Sequence, residues 1–229
     1  MKYIIYIILI SFFTISCTLD EEYVETYDPE QARLDSLKQR SDDIELILSY
    51  IEGTGLQTVV DTTEEGVLYS VIDSGDFEVY PENNDIISLN LAAYYTTDSI
   101  FYTNDSIDLV FFDTNDRSVA EYFGIVDESK FYVPLAYTYN GLGSFFPIIS
   151  DHGYLALVSD FKKALGFSIS KISEGGKIKI IMPSGNAYGE LGNATTPVIP
   201  ANAVLIFDIH LIKIRKWQKF VLLQVIITK

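Results

Sequence analysis

Two short runs near the C-terminal end constrain this chain more than anything else in it. Lys177 to Met182 alternates in the manner of a strand, and Leu205, Phe207, Ile209 and Leu211 alternate with Ile206, Asp208, His210 and Ile212. A period of two marks β-strands, because successive side chains leave a strand on opposite faces. Gly175-Gly176 precedes the first run and stops a helix-type pattern over Asp160 to Ile172, with Phe161, Leu165, Ile169 and Ile172 as its apolar positions. Pro183 to Pro200 reads as a loop between the strands. Aromatic residues make up 14% of the chain. Tyr and Phe suit strands and apolar pockets, so the composition also leans towards a β-rich fold.

Upstream the pattern is looser. Val67 to Ile72 is a strand-type run, and Ile87, Leu89, Leu91, Ala93 and Tyr95 alternate with Ser88, Asn90 and others. A polar and aromatic stretch, Thr103 to Tyr154, then interrupts the pattern. It contains a short helix expected over Asp116 to Phe123, closed by Gly124. Near the N-terminal end, Asp28-Pro29 reads as a helix start. Ile44, Ile47, Leu48 and Ile51 come next at helical spacing, and Gly53 and Gly55 end the pattern. This is expected to be a stalk helix lying on the domain by one face.

Residues 1–16 have the layout of a signal peptide, with Lys2, an apolar stretch from Tyr3 to Phe13, and Ser16 before Cys17. The stretch is short for a membrane-spanning helix, which needs about 20 apolar residues. Cys17 is the only cysteine. Its place resembles the bacterial lipobox, which implies acylation of Cys17 and anchoring in a lipid membrane. Asp20-Glu21-Glu22 resembles the surface-export signals of Bacteroidetes lipoproteins. The expected location is therefore the cell envelope, as an outer-membrane lipoprotein facing the periplasm or the surface. Residues 17–56 are read as an acidic linker and stalk, residues 57–214 as the folded domain with an insert over about 103–154, and residues 215–229 as a tail with no assigned role.

The formal net charge is −16, and half of it falls on residues 18–52, where eleven acidic side chains meet three basic ones. Nucleic-acid binding relies on Lys and Arg neutralising phosphates, so it is not expected. A single cysteine excludes intramolecular disulfides and thiolate-rich metal sites, and two histidines leave little for any other metal. Ser184, Asp208 and His210 lack a nucleophile elbow. Gly185 to Gly189 lacks the ending of a phosphate loop.

The block Glu174 to Ile214 carries a family resemblance. Gly175-Gly176-Lys177, Pro183-Ser184, Ala187-Tyr188-Gly189, Ile199-Pro200, Asn202-Ala203 and Phe207-Asp208 stand in the order and spacing of the C-terminal half of FKBP-type peptidyl-prolyl cis-trans isomerases. Leu157-Val158 with Phe161 resembles the start of the family's helix, and Leu91 stands where the family often has a pocket Tyr. The family's Phe-Asp pair has two candidates, at Phe101-Tyr102 and at Phe112-Asp113. The resemblance implies an α+β fold, with a bent antiparallel sheet wrapped around a short helix.

It also implies a site. Tyr188, Phe207, Phe101, Phe161 and Ile199 would form the catalytic pocket, with the Tyr188 hydroxyl and the Ile199 backbone N–H holding substrate carbonyls. Leu91, Asp113, Val158, Leu157 and Val198 would bind substrate. The partners would be proline-containing polypeptides, and neither cofactor nor metal is expected. The alternative is a non-catalytic FKBP-fold chaperone or surface binding module. The aromatic-rich insert has two readings, a client-gripping subdomain at the pocket rim or a segment that packs onto the sheet.

Overall fold

Two eleven-residue strands organise the domain. The computed structural model describes residues 28–56, 60–97, 109–139, 145–147, 159–194 and 198–217, with backbone alone at 145–147 and 159–162. In chain order the elements are α1 (Pro29–Thr54), β1 (Val60–Thr62), β2 (Leu68–Asp73), β3 (Ile86–Thr96), β4 (Leu109–Thr114), α2 (Arg117–Tyr122), β5 (Leu135–Tyr139), β6 (Phe145–Pro147), α3 (Ser159–Ile169), β7 (Lys177–Met182) and β8 (Leu205–Arg215). The strands form one sheet in the order β1-β2-β7-β8-β3-β5-β6, with β4 also on β3. Every pairing is antiparallel. This is the FKBP-like α+β architecture that the sequence led us to expect. The chain divides into two compact units, residues 1–36 and 37–229, and the sheet lies wholly in the second.

Alternation along β8 builds two cores. Leu205, Phe207, Ile209 and Leu211 join Leu91 and Ala93 of β3, Ile178 and Ile180 of β7, and Ala164, Leu165 and Ile169 of α3. Ile206 and Val204 face the other way, with Ile181, and meet Ile47, Tyr50 and Ile51 of α1. Each fully buried Ile, Leu or Phe side chain stabilises the fold by about 1.5–3 kcal/mol relative to exposure. The sheet is therefore sandwiched, with α3 on one face and α1 on the other.

Asp28 caps α1 by accepting from the N–H groups of Glu30 and Gln31 at 2.9 and 3.3 Å. Asp116 does the same for α2 by accepting from Ser118. The face that α1 presents corrects the expected stripe. Ile47 and Ile51 are buried, but Ile44 and Leu48 are exposed, and Asp43 and Tyr50 lie on the packed face instead. The period is right and the face is turned. Tyr50 brings a large ring to the sheet, and Asp43 finds donors there.

The described parts of residues 103–154 complete the sheet. β5 pairs with β3 over Ile86–Leu89, and β4 pairs with the same edge over Ala92–Thr96. Among the described residues no helix is long and apolar enough to cross a membrane.

Candidate functional site

The α3-facing side of β8 and its surroundings hold an aromatic cluster that includes Phe207 and Tyr188. Phe207 sits at its centre and is 1% exposed. Phe112 of β4 meets it edge-on, with ring centroids 6.5 Å apart, and Tyr95 of β3 lies 6.0 Å from Phe112. Tyr188 and Ala187, half-buried, pack against the same cluster, which also contains Ile199, Leu91 and Leu205. Burial pushes the Tyr188 phenol above its ordinary value, so at neutral pH it is a protonated hydroxyl able to donate.

The loop that carries Tyr188 is built from short turns. Ser184–Asn186 and Gly189–Leu191 are single 3₁₀ turns. Asn202 donates its N–H to the Gly189 carbonyl at 2.7 Å. Gly192 has φ +59°, and a Cβ there would stand 2.5 Å from the Ile199 carbonyl oxygen. Only glycine accepts both the left-handed backbone and this approach. The two arms of the loop thus close tightly, Asn193 against Ile199.

That closure corrects one expectation. The Ile199 N–H donates to the Asn193 carbonyl at 2.9 Å, and Asn193 returns a bond to the Ile199 carbonyl at 2.8 Å. A substrate carbonyl could use the Ile199 N–H only by breaking the bridge. The Ile199 side chain is buried in the cluster, 2% exposed.

The other expected residues fall in several places. Leu91 is buried in the cluster, and Val198 points outward, 65% exposed. Asp113 is buried and paired with Lys130, a residue of the β4–β5 connection. Its second oxygen has no hydrogen-bond partner among the described residues. Phe101, Leu157, Val158 and Cys17 lie outside the described residues, as does the side chain of Phe161, whose backbone is in the first turn of α3. Of the two Phe-Asp candidates, Phe112-Asp113 has its Phe beside Phe207, and Phe101-Tyr102 lies outside the described residues. Its signal in the sequence is alternation: Phe111 turns to Tyr94 and Phe123, whereas Phe112 turns to Phe207.

A separate cavity of about 430 Å³ opens on the opposite face of the sheet, beside Asn90, Asp116, Lys177, Lys179, Asp208 and His210. Lys179 is paired there with Asp208, and Asn90 donates to Asp116. Ile72, Leu91, Val119 and Ile209 also line it, but no Phe, Tyr or Trp does among the described residues, so it lacks the aromatic surroundings that Phe207 has. Among the described residues no group of three or more His, Cys, Asp and Glu side chains is placed to hold a metal ion.

Residues 157–212, which include α3, β7, the Tyr188 loop and most of β8, match the family model of FKBP-type peptidyl-prolyl cis-trans isomerases. The antiparallel sheet and its helix agree with the fold that this match implies. Among solved structures, FkpA from Escherichia coli is similar at 20% identity and a TM-score of 0.36, over 93% of this chain and 81% of that one. A peptidyl-prolyl cis-trans isomerase from Pseudomonas syringae pv. tomato is similar at 17% identity and a TM-score of 0.43, over 83% and 99%. The N-terminal domain of FKBP42 from Arabidopsis thaliana is similar at 17% and 0.42, over 69% and 92%. Comparison with curated proteins gives no match.

Proposed function

We propose that the domain catalyses cis-trans exchange of X-Pro bonds in exported polypeptides, with the proline ring received beside Phe207. The observation that carries this reading is the meeting of Phe112, Tyr188 and Phe207 on one face of the sheet. Rotation about a peptide bond is opposed by a barrier of about 18–20 kcal/mol, because resonance holds the amide planar. An X-Pro bond has two accessible isomers that exchange in tens of seconds unaided. A catalyst needs neither nucleophile nor cofactor. It must bind the twisted amide better than either planar form. The twisted amide has lost resonance and carries less charge separation, so a dry aromatic site favours it relative to water. The Tyr188 hydroxyl would hold a substrate carbonyl, while Phe112, Phe207 and Ile199 keep water out. Phe101, Phe161, Leu157 and Val158 complete the proposed pocket on the strength of the family pattern, with Leu91, Asp113 and Val198 as substrate contacts.

The test is exchange in an X-Pro tetrapeptide. Tyr188→Phe should lower kcat/KM about tenfold, the worth of one hydrogen bond of about 1.4 kcal/mol. Phe112→Ala should lower it further. Wild-type protein no faster than buffer would favour the non-catalytic binding module, for which Leu91 at the family's Tyr position and Tyr102 in place of the Asp after Phe101 are the relevant features.

We further propose that Cys17 is acylated and tethers the domain to the envelope membrane. It is the only thiol and stands directly after a signal-like segment. Intact-mass analysis of membrane fractions should show a diacylglyceryl adduct that Cys17→Ser lacks. An unmodified soluble wild type would refute the anchor.

A further inference from the structure

The stalk helix reaches the Tyr188 loop through one buried carboxylate. Asp43 of α1 is 3% exposed, and Ser184, which opens the loop, is 0% exposed. The Ser184 N–H and hydroxyl both donate to Asp43 Oδ2, at 2.8 and 2.7 Å. Gln39, one turn earlier on α1, donates to Asp43 Oδ1 at 2.8 Å and holds the carboxylate in place. The residues joined are 141 positions apart in the chain.

The turn from Ser184 to Tyr188 is stiff. The Ala187 N–H donates to the Ser184 carbonyl at 2.9 Å, and the Asn186 side chain donates to the Glu65 carbonyl in the β1–β2 turn at 3.0 Å. A displacement of Ser184 is therefore passed through the turn to Ala187 and to the backbone of Tyr188. The same helix supports the strands from behind. Ile47, Tyr50 and Ile51 pack on Ile181 and Ile206, the neighbours of Ile180 and Phe207 that point to the opposite face.

We infer that Asp43 is a positioning residue of the isomerase site: through Ser184 it sets where the Tyr188 hydroxyl stands, which makes the stalk helix part of the catalytic unit. A buried carboxylate on a tether alone would be costly, because removing its charge from water is unfavourable unless hydrogen bonds replace the hydration. Here two donors of a single loop residue and one of the helix replace it. This inference rests on the reading that Tyr188 holds a substrate carbonyl.

The experiment is a double-mutant cycle on the full-length chain in detergent, read by tetrapeptide exchange and by amide hydrogen exchange. Asp43→Asn has the same size but removes the charge that strengthens both Ser184 bonds, and its amide nitrogen puts a donor where one acceptor oxygen stood. It should lower kcat/KM about tenfold in the wild-type background and cause no further loss in Tyr188→Phe. Amides 184–188 should exchange faster while those of β3 and β8 do not. Ser184→Ala, which removes only the hydroxyl bond, should show the same pattern more weakly, and it carries the test if Asp43→Asn does not fold. Asp42→Ala, on the exposed side and paired with Lys38, should change neither readout. Equal losses in both Tyr188 backgrounds, or faster exchange across the whole sheet, would reduce Asp43 to a structural role and overturn the inference. Unchanged exchange at 184–188 would overturn it too. Wild-type protein without isomerase activity would defeat the functional reading instead, and hydrogen exchange alone would then decide the positional claim.

Discussion

Asn115 stands where β3 changes partners. β5 leaves β3 at Leu89 and β4 joins it at Ala92, so the backbone of Asn90 and Leu91 has no strand beside it on that edge. The Asn115 side chain fills the gap. It accepts from the Leu91 N–H at 2.7 Å and donates to the Leu89 carbonyl at 2.8 Å and the Val133 carbonyl at 2.9 Å. It is 1% exposed, with water excluded as a substitute partner. Asn115→Ala leaves the buried Leu91 N–H and Leu89 carbonyl without it, and should lower unfolding stability by about 2–4 kcal/mol. Urea denaturation measures this, and a loss below about 0.5 kcal/mol would show that the edge closes without it. In the sequence Asn115 sits between Thr114 and Asp116, a turn-like triplet. Nothing local marks it as the splice between two strands, because its partners lie 18 to 26 residues away.

The elements were legible in different degrees. β7 runs over the residues its alternation indicated, and β8 starts at Leu205 as expected and continues to Arg215. α2 is capped by Asp116 and ends before Gly124, which has φ +67°. For α1 the period alone was readable. A helix with apolar residues at 44, 47, 48 and 51 offers neighbouring faces, and their choice depends on the surface they meet. Here that surface holds Ile181 and Ile206, with Lys179 and Asp208 beside them. Burial disfavours the Lys179 ammonium, but Asp208 and then Tyr50 outweigh it and hold its pKa above the ordinary lysine value. The assignment of faces is testable by denaturation. Ile47, 3% exposed, should cost about 2–4 kcal/mol on replacement by Ala, whereas Leu48, 60% exposed, should cost no more than about 0.5 kcal/mol. Comparable losses at both positions would mean that α1 packs by the face its apolar stripe suggests.

For the molecule as a whole, the amino-acid sequence by itself determined the strands β7 and β8, the glycine turn before them, the loop with Tyr188 and the family model that residues 157–212 match. These depend on local features: the alternation of side chains along a strand, the backbone freedom of glycine, and short motifs in fixed order. It also determined that Phe207 faces inward, since Phe207 shares the parity of Leu205 and Ile209. The tertiary structure alone decided that Phe112 meets Phe207, because the two lie 95 residues apart and come together only once β4 has paired with β3. It decided that the Ile199 N–H is taken by Asn193, a bond made by the closing of a loop. It decided that Asp43, one acid among eleven in an acidic segment, is buried against Ser184. A residue's backbone state is set mostly by its neighbours in the chain, whereas its partner is set by which distant surfaces the completed sheet brings together.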